Sequence, residues 1–183
     1  MDDRAPGYTL VELLVTLAVV AILLTGAVPA FTDLIDSQRL RAAAQQIATD
    51  LRYARAEAIK RHAGTPIGVS FMPGADGCYG ISQQLPCDCR IRDGASDAAC
   101  LLDLSHRRQL HTVQPHTNVA VTDARFSGGR TTAFDPLRGI ARAGTVTLRS
   151  ARGKRLEVRV STLGRVRVCV PADAVGPAGS APC

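Results

Sequence analysis

Gly7–Phe31 reads GYTLVELLVTLAVVAILLTGAVPAF, and from Tyr8 to Phe31 it carries a single charge, Glu12. At ~1.5 Å per residue, a helix over 8–31 is roughly 36 Å long, enough to cross an apolar bilayer core of about 30 Å. The run is too long for a cleaved secretory signal. It lacks a basic leading region, and no small-x-small site follows it. A short polar leader, residues 1–7, precedes it instead. Residues 8–31 are therefore predicted to be a retained, single-pass transmembrane helix. Glu12 has two readings: an interfacial residue at the headgroups, or a buried partner for a positive charge on a neighbouring chain.

Past Phe31 the pattern becomes amphipathic. Leu40, Ala44, Ile47, Leu51, Ala54 and Ala58 recur at three- and four-residue steps, with Arg41, Gln45, Arg52 and Arg55 mostly off that stripe. Gly64-Thr65-Pro66 stops the run. Residues 8–62 are thus predicted to form one rod of roughly 80 Å at ~1.5 Å per residue, kinked at Pro29. Its second part, 32–63, is the amphipathic continuation, and the stripe is expected to pack on the chain's own sheet.

From residue 64 to 183 the period falls to two. Ile67–Phe71 alternates and Val119–Val121 opens another strand. Residues 73–118 read as a long excursion with little pattern. The clearest strands are Thr145–Arg149, Arg155–Val160 and Arg165–Val170, separated by the turns Ser150–Gly153 and Ser161–Gly164. The fold class expected is α+β: a long kinked N-terminal helix on a small antiparallel β domain.

All six cysteines lie beyond the apolar helix, at 78, 87, 89, 100, 169 and 183. An even number in an exported domain favours disulfides, with fifteen complete pairings open. Cys169–Cys183 would pin the terminal coil to the last strand, leaving Cys78, Cys87, Cys89 and Cys100 to staple the 78–100 loop. Cys87-x-Cys89 lacks the two-residue gap of a zinc ribbon, so no metal is expected. His106, His111 and His116 match no helical face and read as solvated loop residues. No nucleophile–His–acid arrangement or phosphate-cradling glycine loop is present, which argues against an enzyme, and no cofactor is expected.

The charge is uneven. From Arg125 onward there are ten arginines and Lys154 against Asp135, Glu157 and Asp173, on a chain of net charge +6. A basic face of this kind suits anionic partners. The scarcity of aromatics, with no Trp, argues against gripping single strands by base stacking. With Val166, Val168 and Val170 turned inward, Arg165 and Arg167 share the outer face, roughly 6.6–6.8 Å apart. Leu156, Val158 and Val160 likewise leave Arg155, Glu157 and Arg159 outside, and Arg149 joins from the strand before. Such a face can contact successive phosphates. It is also what a solvated outer face of an edge sheet looks like.

Gly7-Tyr8-Thr9-Leu10-Val11-Glu12 resembles the class III signal of type IV pilins and type II secretion pseudopilins. That resemblance implies cleavage after Gly7 by a prepilin peptidase and N-methylation of Tyr8. It also implies that Glu12 pairs with the terminal amine of an adjacent subunit, and that Pro29 lies where pilins commonly kink. Tyr8 replaces the usual Phe, and Asp2 and Asp3 make the leader less basic than is common. The stretch Gly164-Arg165-Val166-Arg167 is similar to the end of the GspH/FimT branch, which joins a long helix to a small β domain. The resemblance implies a minor pilin or pseudopilin, held in the inner membrane before assembly with its C-terminal domain periplasmic. It would then help to initiate or cap a fibre with other pilins. In the FimT-type members the Gly-Arg-x-Arg motif carries non-specific capture of double-stranded DNA for natural transformation. On that alternative Gly164, Arg165 and Arg167, with Arg149, Arg155 and Arg159, form the DNA-binding face.

Overall fold

The computed structural model describes residues 9–61, 64–74, 76–104, 107–115 and 118–183. Gly7 and Tyr8, His106 and His116 lie outside the described residues. Helix α1 runs Leu10–Arg61. The strands are β1 (Ile67–Met72), β2 (Cys78–Ser82), β3 (Leu101–Leu104), β4 (Arg107–Leu110), β5 (Thr112–Val113), β6 (Val119–Phe126), β7 (Thr131–Phe134), β8 (Gly144–Ser150), β9 (Arg155–Val160) and β10 (Val166–Cys169). The chain forms two compact units, one ending at Ile35 and the other Asp36–Cys183.

In the first unit, Thr9 caps the helix, its hydroxyl accepting from the Glu12 backbone N–H at 3.3 Å. Thr9-x-x-Glu12 has capping-box spacing, and the carboxylate falls in the first turn, where the helix dipole favours it. The hydroxyls of Thr16 and Thr25 donate to the carbonyls of Leu13 and Ile22. These threonines thereby satisfy themselves within the helix, as an apolar medium requires. The helix continues unbroken through Pro29. Its large apolar side chains from Leu10 to Leu34 are between 49% and 75% exposed, far more apolar surface than a water-soluble monomer leaves bare.

In the second unit, one face of α1 packs on antiparallel strands. Leu40, Ala44, Ile47, Leu51, Ala54 and Ala58 are all at most 1% exposed, in one core with residues of both main sheets. Those sheets have strand orders β5-β2-β1-β7 and β10-β9-β8-β6; β3 and β4 form a separate hairpin. The same helix face also buries Asp36, Ser37, Asp50 and Glu57, which the apolar stripe does not reveal. Each buried polar group needs a partner. Asp36 accepts from Ser150 Oγ at 2.6 Å, and Lys154 Nζ reaches Ser37 Oγ at 2.7 Å. Tyr79 donates its hydroxyl to Asp50 at 2.6 Å. Burial, with the Asp50 carboxylate beside it, pushes the Tyr79 phenol well above its ordinary range, so it remains a donor.

The segment 73–118 is not an unpatterned excursion, because β2 lies inside a sheet between β5 and β1. All five of its residues are buried. Tyr79 and Ile81 enter the main core, while Cys78 belongs to a second cluster with Cys87, Cys89 and Cys100. The cystines Cys78–Cys89 and Cys87–Cys100 therefore cover the other face of the sheet. A side chain at Gly80 would strike Cβ and Sγ of Cys100, so the disulfide lies directly on the glycine backbone. Cys169–Cys183 ties the terminal segment beside β10, where Val170 bridges Pro182 in parallel. His111 is not a solvated loop residue. It is half-buried against Tyr53, at 5.9 Å between ring centroids, and its Nε2 is buried without a hydrogen-bond partner among the described residues.

Candidate functional site

The basic face is built on the sheet β10-β9-β8-β6. Alternation turns Leu156, Val158 and Val160 inward, all buried, and Val146 and Leu148 likewise on β8. Arg149, Arg159, Arg165 and Arg167 are exposed. The strand register then sorts them. Arg167 lies opposite Arg159, and Arg159 opposite Thr145. Arg149 lies opposite Arg155 at the other end of the β8–β9 ladder, four residues or about 13 Å along the strand from Thr145. Between the ends runs a row containing Cys169, Glu157 and Thr147. The six expected residues therefore do not form one compact patch.

Their partners separate them further. Arg155 is committed to Asp173, bonding its carboxylate at 3.0 Å and its backbone carbonyl at 2.9 Å, and so braces the terminal segment. Arg159 Nε pairs with Glu157 at 2.8 Å. Among the described residues, Arg149, Arg165 and Arg167 make no ion pair. Directly opposed like charges cost stability in a sheet. The Arg159–Arg167 pair is thus an arrangement that an anion in front of it would relieve.

Gly164 is buried and presents nothing to a ligand. It adopts φ +72°, and a Cβ there would lie 2.6 Å from the Gly139 carbonyl oxygen and 2.7 Å from Arg55 Nε. Any side chain would push the hairpin turn off its seat. Arg55 donates to the carbonyls of Gly139 at 3.0 Å and Gly164 at 3.4 Å. Arg52 donates to the carbonyl of Val166, and Arg41 to that of Ala178. Spaced by eleven and three residues, these arginines share one edge of α1. They clamp the C-terminal strands from the side, which sequence spacing hints at but cannot assign a partner to. The turn they hold borders a groove of about 540 Å³, lined by Gly144 and Thr145 on β8 and by Arg159, Arg165 and Arg167.

Glu157 Oε2 also lies 3.6 Å from Cys183 Sγ. Cys169 and Cys183 are joined to each other, so this cluster is a disulfide with one buried and one exposed half rather than a thiolate metal site.

Residues 43–164, well over half of the chain, match the family model described as type II transport protein GspH. The chain belongs to the GspH family. Residues 3–28 match the prokaryotic N-terminal methylation motif, and with the exposed apolar helix this marks the GspH-family chain as a membrane-anchored pilin. The family comprises minor pilins and pseudopilins, which assemble with other pilins in a filament. Two crystal structures of the Pseudomonas aeruginosa PAO1 type IV minor pilin FimU, in space groups P65 and P21, are similar to it at 18% and 19% identity. Both have a TM-score of 0.46. The matches cover 70% and 72% of this chain, and 91% and 88% of FimU. Comparison with curated proteins finds no match.

Proposed function

We propose that this GspH-family chain is a minor pilin or pseudopilin that helps to initiate or cap a type IV pilus or type II secretion fibre. The observation that carries this reading is the helix from Leu10 to Leu34, bare of tertiary cover and with Glu12 alone charged in its first turns. Such a surface needs lipid before assembly and neighbouring helices afterwards. On this reading residues 1–7 are the leader removed by the prepilin peptidase, and Tyr8 is the N-methylated first residue. Residues 8–31 span the inner membrane and 32–63 continue the helix, with 64–183 on the periplasmic side. Glu12 pairs with the terminal amine of the next subunit, and Pro29 bends the helix for packing.

Replacing Glu12 with alanine is expected to leave the amount in the membrane unchanged. It should lower the amount in sheared fibres at least tenfold, since a buried charge left unpaired costs several kcal/mol, roughly 3–5. Undiminished incorporation would remove the Glu12–amine pair from the account.

A second reading is favoured by the arginines at the β9–β10 turn, which make no ion pair among the described residues: the exposed β domain captures double-stranded DNA without sequence preference. Arg165 and Arg167 are its main contacts, Gly164 and Arg55 hold the turn, and Arg159 joins from the neighbouring strand. Arg149 and Arg155 lie too far along the sheet to serve the same phosphates. Binding to unrelated duplexes should be equal and should weaken steeply with salt.

A further inference from the structure

Arg125 lies outside the Gly-Arg-x-Arg segment, and simple alternation from Val119 and Val121 would turn it into the core. The β6–β8 register shifts between Val121 and Asp123. This bulge reverses the phase of the strand: Ala124 and Phe126 are buried and Arg125 turns out, its side chain 85% exposed. Bulges commonly re-aim a side chain beside a functional site. Arg125 then lies opposite Thr145, which lies opposite Arg159, which lies opposite Arg167. One row thus crosses four strands, with cations on both sides of a small residue.

The geometry forms a trough. Thr145 and Gly144 line the groove beside the hairpin. Gly144 is opposite buried Phe126 and Val160 on the core side of the sheet, so the outer floor between the arginines is Thr145. Arg159 and Arg125 stand two strand spacings apart, roughly 9–10 Å. The two banks are built alike. Arg125 Nε pairs with Asp123 at 2.6 Å, and Arg159 Nε pairs with Glu157 at 2.8 Å, each acid two residues back on its own strand. Holding Nε fixes the fork, and the terminal nitrogens of a guanidinium are the atoms that grip a phosphate bidentately.

We propose that Arg125 and Arg159 grip one phosphodiester strand of a DNA duplex in the trough over β8, with the Thr145 hydroxyl beneath it, extending the hairpin site across the sheet. This rests on the DNA-capture reading above. Between Arg125 and Arg159 the row presents the Thr145 hydroxyl, and exposed Leu163 stands only at the hairpin turn. The row therefore matches a phosphate backbone better than a lipid surface, which would call for apolar side chains between the cations.

The test uses the full chain in detergent micelles, titrated with two 20-base-pair duplexes of unrelated sequence over a range of salt. Arg125→Ala is compared with Arg90→Ala, which removes the same charge from the exposed disulfide loop, and with Arg165→Ala/Arg167→Ala. Arg125→Ala should weaken binding about three- to tenfold at low salt and reduce the salt slope by about 0.9, one phosphate contact. Arg90→Ala should match the wild type. If Arg125→Ala binds as the wild type while the double variant fails, the trough is refuted and the hairpin site stands. If the double variant and Arg125→Ala both bind as the wild type, the charge acts diffusely and both the hairpin site and the trough fall. If the wild type itself binds neither duplex at low salt, the DNA reading falls. Loss of binding to phosphatidylglycerol vesicles in Arg125→Ala, with DNA binding intact, would assign the row to lipid and overturn the proposal.

Discussion

Replacing Arg165 and Arg167 together with alanine is expected to weaken binding to duplex DNA of any sequence by roughly 10- to 100-fold near 50 mM salt, and to lower the salt slope by about 1.8. Both side chains are exposed, and neither has an acidic partner among the described residues. Each can therefore exchange water and counterions for a phosphate without first breaking an internal pair. Arg155 differs in this respect, because Asp173 holds a terminal nitrogen of its guanidinium, whereas Glu157 holds Arg159 only through Nε. Replacing the pair by lysine should keep most of the slope and lose part of the affinity, since lysine keeps the charge without the bidentate fork. The alanine variant should unfold at the wild-type temperature, because neither guanidinium packs in the core. Equal binding by variant and wild type would mean that the charge acts diffusely.

The second large effect concerns the cysteine layer. Removing Cys78–Cys89 and Cys87–Cys100 by alanine replacement is expected to cost roughly 3–5 kcal/mol and to lower the midpoint of thermal unfolding by about 8–16 °C. The bridges close loops of 11 and 13 residues, each worth about 3 kcal/mol in the unfolded chain's entropy. They overlap in sequence, so the sum falls short of full additivity. The four cysteines are at most 4% exposed and cover the outer face of the β2–β1 region. Their loss therefore opens a buried layer rather than freeing a surface loop. Thermal unfolding with and without reductant measures this directly; an unchanged midpoint would show that the layer carries no stability.

The helix stripe and the last meander were legible because each buries one face. Leu40 to Ala58 repeats at helical spacing, and Arg155–Val160 alternates along its whole length, so periodicity reports the core. Strand β2 was not legible because both its faces are covered. Gly80 and Cys78 under a disulfide look like loop composition, yet they are the floor of a second layer. The buried polar side of α1 was hidden for a different reason. Asp36, Ser37 and Asp50 are satisfied by Ser150, Lys154 and Tyr79, partners that lie far away in the chain.

At the candidate site, residue types were readable and neighbourhood was not. Alternation put Arg159, Arg165 and Arg167 on the outer face, but only the register separates Arg149 and Arg155 from them. Only the bulge at Thr122 brings Arg125 out. Gly164 carries the hairpin turn through its lack of a side chain, a role that its place in the motif does not distinguish from a contact.

The most direct test of the central claim, a processed fibre subunit anchored by its first helix, is the mass of the mature chain's N-terminal peptide. It would be measured by mass spectrometry on protein from inner membranes and from sheared fibres. The account predicts the same peptide in both fractions, beginning at an N-methylated Tyr8 and retaining Glu12. A chain in the fibres that still begins at Met1, or one cut beyond the apolar segment, would contradict it.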